Sequence, residues 1–238
     1  MLDFLGTVVI GAVAAVNLNA VISALQVQRM TRLLLATAMG GWIGVAAASA
    51  ISGVFAIAKP FPLIGLYVAT PLIVGLVASL QRSGRGSMLA LPLPLLIGLN
   101  ISRALGVFFL LLAAQGRLSG PFPYFAGIGD IATGLAAIPL VLAIARGNLR
   151  TSSVAAWNAF GAADLILAIV LGVTSAPASA LQIFGGAVGS LPLQLLPWAL
   201  IPTVLVPFYL VVHVVIWLQL RQRAVQAAPS LSGAAVGA

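Results

Sequence analysis

Residues 123–145 read PYFAGIGDIATGLAAIPLVLAIA, an apolar run in which Asp130 is the only charged residue. The nearest charges on either side are Arg117 and Arg146. An α-helix needs about 20 predominantly apolar residues to cross a bilayer, so this run is long enough for one crossing. The whole chain has the same character, since it is 62% hydrophobic and 6% charged, with a mean hydropathy of +1.19. A soluble domain is about a quarter charged, and the sequence therefore predicts an integral membrane protein.

Seven such runs, bounded by charges, glycine or proline, predict an all-α bundle with seven transmembrane helices. The predicted spans are residues 4–26, 33–57, 61–80, 89–114, 123–145, 153–175 and 199–220. Residues 1–222 then form a single transmembrane domain, and residues 223–238, rich in small side chains, form a disordered cytoplasmic tail. The segment 176–198 is apolar but broken by glycine and proline, so we expect it to lie in the outer interface or to dip back into the membrane.

Basic residues are distributed unevenly over the turns between these spans. Turns after odd-numbered spans hold eight arginines, whereas turns after even-numbered spans hold only Lys59 and Arg117. The positive-inside rule then predicts an N-terminus outside and a C-terminus in the cytoplasm. The expected location is the cytoplasmic (inner) membrane of a bacterium, with multiple crossings. Because the basic residues are concentrated in the turns on one side of the membrane, the net charge of +8 reflects orientation in the membrane and does not indicate a nucleic-acid partner.

Three charged residues fall inside the predicted spans, namely Arg103, Asp130 and Asp164. A charge in the bilayer core costs about 2.5–3.5 kcal/mol on insertion scales, so such residues face the bundle interior and pair. At a rise of 1.5 Å per residue, Arg103 lies roughly 16 Å and Asp130 roughly 10 Å from the outer ends of their spans. An arginine side chain can cover that difference, so the sequence predicts an Arg103–Asp130 pair. The pair either fixes helix register or belongs to a working site.

The residues that share a helix face with these charges, and the lone histidine, lead to further predictions. Gly127 and Gly134 flank Asp130 on one face, where small residues allow another helix to approach closely. Asp164 has no second basic residue left to pair with, so we expect either a neutral acid bonded to amides or a proton or substrate site. His213 shares a face with Tyr209 and Trp217, which predicts an interfacial polar and aromatic cluster.

Amides at several depths complete the predicted polar core, and a polar ladder across the membrane is what a permeation or proton pathway needs. Interhelical hydrogen bonds without transport would use the same residues. The candidate residues for the substrate or proton pathway are Arg103, Asp130, Asp164, Asn100, Asn158, His213 and Asn17. No catalytic, cofactor-binding or metal-binding residue is predicted: the chain has no cysteine, and one histidine cannot supply paired haem ligands.

Two resemblances accompany these residues. GIGD, residues 127–130, resembles the Gly-x-Gly-Asp motif of intramembrane aspartyl proteases, which implies Asp130 working with a second aspartate such as Asp164. The longer pattern IGLNISRALG, GIGD and WNAFGAAD, followed by a proline-rich helix bearing His213, is similar to a group of uncharacterised bacterial membrane proteins and implies no function.

Three functions fit these observations. The first is a small permease or proton-coupled carrier that acts on a small solute or a proton. The second is a non-catalytic subunit or scaffold, which would bind a membrane protein partner or a second copy through glycine-rich faces. The third is the aspartyl protease. Helix-disrupting prolines, including Pro139 and Pro202, favour the bent or discontinuous helices found in transporters.

Overall fold

A computed structural model describes residues 1–56 and 62–227, and within these ranges the protein is helical without strands. The α-helices are α1 (Leu2–Ala24), α2 (Arg29–Ile51), α3 (Ile64–Leu80), α4 (Arg82–Leu89), α5 (Leu93–Leu99), α6 (Val107–Ala114), α7 (Phe122–Ala145), α8 (Thr151–Thr174) and α9 (Val206–Ala227). Lys59 and residues 228–238 of the predicted tail lie outside the described residues. Helix α9 continues to Ala227, so the first residues assigned to that tail are helical.

Six helical stretches of the described residues are long and apolar enough to cross a membrane. They are Leu2–Ala24, Arg29–Ile51, Leu93–Ala114, Phe122–Ala145, Thr151–Thr174 and Ile201–Gln226. They coincide with six of the predicted spans to within a few residues and make the chain a multi-pass membrane protein. The other predicted span, 61–80, corresponds to α3, which is apolar but has only 17 residues. The count of seven therefore stays a prediction.

Two of these stretches are not continuous α-helices. Leu93–Ala114, here called span four, changes from α5 to a 3₁₀ helix at Asn100–Gly106 before continuing as α6. The last stretch begins with a π-helical turn, Ile201–Leu205, which contains Pro202. Proline lacks the N–H that an α-helix needs, so the irregularity at Pro202 has a local cause. The 3₁₀ segment contains no proline and was not predicted.

Side-chain hydrogen bonds connect different helical stretches at both ends of the bundle. At one end, Asp3 Oδ1 accepts from Arg117 at 2.9 Å and from Trp198 Nε1 at 2.8 Å, which joins the starts of α1 and of the last stretch to the end of span four. At the other end, Gln219 Nε2 donates to the carbonyls of Leu89 and Leu91, just before span four begins. Span four and the last stretch therefore each run between the end that holds Asp3 and the end that holds Gln219.

The segment 176–198, predicted to lie in the outer interface or to dip back into the membrane, lies at the end of the bundle that contains Asp3. It is irregular apart from a short 3₁₀ helix, Leu191–Gln194, and it places Trp198 in the interior, fully buried. The Trp198 ring packs against Gly6, where an added Cβ would lie 2.8 Å from the ring. The segment therefore caps the helices at this end.

The described residues form three apolar clusters, and the two larger ones lie as layers on either side of the bundle's middle. One layer contains Phe109, Leu165 and Trp198, and the other contains Ile97 and Ile216. On span four, α7 and α8, the residues Arg103, Asp130 and Asp164 fall between the residues of one layer and those of the other. A polar layer thus crosses the middle of the bundle.

Candidate functional site

Arg103 lies at the centre of the polar layer and is 1% exposed in its side chain. It extends from the 3₁₀ segment of span four and donates from Nε to Asp130 Oδ1 at 2.7 Å, which confirms the predicted pair. Its other nitrogens reach α8 and α9. One terminal nitrogen bonds Asp164 Oδ2 at 2.6 Å, and the other bonds the carbonyl of Gly161 at 3.1 Å and His213 Nε2 at 3.0 Å. One guanidinium therefore connects four membrane stretches.

The expectation that Asp164 lacks a basic partner is wrong, because Arg103 binds both aspartates at once. A guanidinium presents five N–H donors in a planar fork, so one arginine can serve two carboxylates on different helices. With both carboxyls ionised, the cluster of Arg103, Asp130 and Asp164 carries one excess negative charge. In that state, the ion pairs leave one negative charge of the cluster without a counter-ion among the described residues.

The tautomer of His213 follows from its two partners. Arginine only donates hydrogen bonds, so His213 Nε2 must accept the one from Arg103. The proton is then on Nδ1, which donates to Asn158 Oδ1 at 2.9 Å, while Asn158 Nδ2 donates to the backbone carbonyl of His213 at 3.1 Å. His213 is thus a neutral acceptor in this arrangement.

The predicted interfacial cluster of His213, Tyr209 and Trp217 is also wrong. His213 lies in the polar layer, 1% exposed and 5.4 Å from the ring of Trp157 between ring centres. Trp217 is 48% exposed and stacks with Arg221 instead. Spacing on one helix identifies a shared face but does not show which neighbouring helix that face meets.

The other predicted amides are distributed around this centre. Asn17 of α1 donates to Tyr209 Oη at 2.9 Å and to Ser102 Oγ at 3.1 Å, one residue from Arg103. Asn100 lies one turn before Arg103 but bonds its own helix, at the carbonyl of Leu96. Its Oδ1 is buried without a partner among the described residues. The structure therefore brings Arg103, Asp130, Asp164, Asn158 and His213 together directly, with Asn17 attached through Ser102 and Tyr209.

Glycines make room for this cluster. A Cβ on Gly106 would lie 2.6 Å from Asp130 Cβ, and one on Gly134 would lie 2.6 Å from the nitrogen of Ala104. The face of α7 that carries Asp130 thus packs directly on the 3₁₀ backbone, as its small residues predicted. On the same helix, a Cβ at Gly129 would overlap the Asp164 carboxylate.

Two cavities meet at Asp130. The larger, about 260 Å³, lies between α3, α7, α8 and the segment before the last stretch, and its walls are almost entirely apolar. The smaller, about 40 Å³, lies on the side of Arg103 and Tyr209. Asp130 lines both, and its side chain is 14% exposed, compared with 6% for Asp164. Asp130 is therefore the charged group that a molecule in the larger cavity would contact.

The geometry of the two aspartates differs from that of a protease dyad, in which two carboxyls share one proton. Here Arg103 contributes separate nitrogens to Asp130 and Asp164. The arrangement thus gives no support to the protease alternative. Among the described residues, no three His, Asp or Glu side chains form a metal-ligand group.

Residues 60–221 match a family described as "Domain of unknown function (DUF8737)", and the match covers more than half of the chain. The chain belongs to this family. The DUF8737 region contains every residue of the Arg103 cluster, whereas Asn17 precedes it. The expectation of an uncharacterised family is confirmed. No curated protein and no solved structure matches the chain.

Three contributors to the DUF8737 polar layer were not predicted as site residues. Tyr209 and Ser102 bond each other at 2.7 Å, and Gly161 offers its carbonyl to Arg103. Tyr209 had a signal, since it precedes His213 by one helical turn. Ser102 and the Gly161 carbonyl had none, because their roles depend on which helices pack together.

Proposed function

We propose that this protein is a small proton-coupled carrier that moves a small solute across the membrane through the larger of the two cavities that Asp130 lines. The observation that carries the proposal is the position of Asp130, which joins an apolar cavity to a buried cluster of one arginine and two aspartates. That cluster has one excess negative charge when both carboxyls are ionised. A site that exchanges a proton for a solute needs such a charge within reach of the solute. A purely structural ion pair would need no adjacent cavity.

Broken helices support the same proposal. Transporter sites are commonly formed by discontinuous helices, whose movement allows access from either side. Arg103 stands on the 3₁₀ segment Asn100–Gly106, and the π turn Ile201–Leu205 borders both cavities. Mid-helix 3₁₀ and π turns often mark functional hinges. The pathway we propose uses Arg103, Asp130, Asp164, Asn158 and His213, with Asn17 and Asn100 beside it.

The proposed topology has seven crossings, with α3 as the third, an N-terminus outside and a C-terminus in the cytoplasm of a bacterial inner membrane. Ile64, the first residue of α3, packs with Ala199 near the end that holds Asp3. The other end of α3 leads into α4, whose final carbonyl binds Gln219 at the opposite side. These contacts support a complete crossing by α3, and the arginine distribution supports the orientation.

The proposed function can be tested with purified protein in liposomes that contain a pH-sensitive dye. The outside is supplied in turn with an amino acid, a sugar, a carboxylate and an organic ammonium ion. We expect at least one solute to change the internal pH in the wild type, and Asp130→Asn to lose that change. If no solute moves protons, or if the variant moves them equally well, the carrier proposal is wrong.

A second candidate function, a subunit of a membrane complex, is supported by helix α2. This helix packs little against the rest of the chain, and Gly40, Gly41 and Gly44 have no neighbour within 4 Å of an added Cβ. Small residues of this kind allow close helix association. Stoichiometric co-purification of another membrane protein, lost on Gly40→Leu and Gly44→Leu, would favour this function.

A further inference from the structure

The walls of the larger cavity restrict what it can hold. Among the described residues that line it, Asp130 is the only ionisable one, and Ser190 and Gln194 are the other residues with polar side chains. A sugar or a zwitterion has several polar groups, and each would be costly to bury against apolar walls without a hydrogen bond. At about 260 Å³, the cavity is also near the lower end of ligand-site volumes. The occupant is thus small and mainly apolar.

Among the described residues, the polar end of the cavity offers an acceptor and no available cation. Arg103 uses all three of its nitrogens within the protein, on Asp130, Asp164, His213 and the Gly161 carbonyl. An anionic ligand would therefore meet the carboxylate of Asp130 rather than a donor. One Asp130 oxygen binds Arg103, and no hydrogen bond to the other oxygen occurs within the described part of the chain. That second oxygen suits a cation.

We infer that the cavity binds a small apolar cation of the aryl- or alkylammonium class, and that this cation competes with a proton for the excess negative charge of the cluster. The inference rests on the proposed function and specifies its solute. The ionisable groups near Asp130 are Arg103 on span four, Asp164 on α8, and Tyr209 and His213 on α9. With both carboxyls ionised and His213 neutral, their charges sum to one negative charge, which either a proton or the ammonium cation neutralises.

A matched pair of ligands tests the charge directly. Benzyltrimethylammonium and neopentylbenzene have the same shape, but only the first is charged, and its charge is the same at every pH. Binding to the purified protein in detergent is measured by isothermal titration. We expect the cation to bind at least tenfold more tightly, a difference of about 1.4 kcal/mol. Its affinity should rise with pH as protons leave the cluster, while that of the neutral compound stays constant.

Two kinds of variant locate the site. Asp130→Asn should abolish the preference for the cation and its pH dependence. Val68→Phe fills the cavity from α3 without touching the charges, and should weaken both ligands. Its matched control is Val74→Phe on the same helix, because Val74 is 63% exposed and does not line the cavity. That control should bind both ligands like the wild type.

Each outcome decides the inference. The inference is overturned if the two ligands bind with equal affinity, or if Val68→Phe leaves binding of the cation unchanged. It is also overturned if the anion benzenesulfonate, measured in the same titration, binds more tightly than the cation. Should Asp130→Asn fail to fold, the ligand pair and the pH series on the wild type still give the answer. Binding requires no transport, so selective binding without proton movement would reject the carrier and keep the cation site. Proton movement driven only by a sugar or a carboxylate would keep the carrier proposal and reject the cation site.

Discussion

Replacing Arg103 should destabilise the protein far more than replacing either aspartate alone. Arg103→Met retains the apolar stem but removes the only cation that contacts Asp130 and Asp164 within the described part of the chain. Removal of one partner from a buried ion pair costs about 3–5 kcal/mol, since the remaining charge stays buried. Here two carboxylates lose their counter-ion, and Asp164 is only 6% exposed, so we expect the upper part of that range.

The aspartates should behave differently because they share one cation. Asp130→Asn leaves Arg103 paired with Asp164, and Asp164→Asn leaves it paired with Asp130, so each variant keeps a neutral ion pair. We expect each to cost less than about 2 kcal/mol, mainly from one weakened hydrogen bond to a charged group. A simple two-residue pair would instead lose a similar amount whichever partner was removed.

The assay is unfolding in mixed micelles, followed by far-UV circular dichroism, for the wild type, the three single variants and the two Arg103→Met double variants. Adding Asp164→Asn to Arg103→Met should recover part of the loss, with a coupling of about 0.5–3 kcal/mol, the range for residues in contact. A loss below about 1 kcal/mol for Arg103→Met, or no coupling to either aspartate, would refute the reasoning.

Three further predictions follow from other contacts. Asp3→Asn should cost less than about 1 kcal/mol in the same unfolding assay, because its pair with Arg117 is exposed and the new amide oxygen still accepts from Trp198; a loss like that of Arg103→Met would contradict this. Gly129→Ala should impair folding because its Cβ would overlap the Asp164 carboxylate, whereas Gly11→Ala, with no neighbour within 4 Å, should be neutral or stabilise by up to about 1 kcal/mol; equal effects would show that the helices are not packed this closely. Reporter fusions after Arg85 and Arg150 should report the cytoplasm, and fusions at Gly120 and Gly185 the outside; a cytoplasmic signal at Gly185 would rule out seven crossings.

The spans and the first ion pair could be predicted from sequence because both depend on position along single helices. Apolar runs bounded by charge locate the spans, and the estimated depths of Arg103 and Asp130 in the membrane predicted that the two side chains pair. The second partner was missed because Arg103 was assigned to one acid only. A guanidinium has five N–H donors, and Arg103 uses separate nitrogens for Asp130 and Asp164, which the count of basic residues could not show.

The cavity and the setting of His213 could not be predicted, because they depend on how separate helices pack. Nothing in the local sequence indicates that α3 and α8 border the same space, or that His213 faces Arg103 rather than Trp217. Glycine positions were the best available signal. Gly127 and Gly134 correctly indicated a close neighbour for α7, although not its identity.

The exchange of a cation for a proton is tested most directly by accumulation at equilibrium. Radiolabelled benzyltrimethylammonium is supplied to proteoliposomes with an imposed pH gradient and no membrane potential. One-for-one exchange predicts that the cation concentrates on the more acidic side by about tenfold per pH unit, since both ions then share one equilibrium free energy. Asp130→Asn should remove this accumulation and Asp3→Asn should retain it. Equal concentrations on the two sides in the wild type, while the pH gradient persists, would contradict the account.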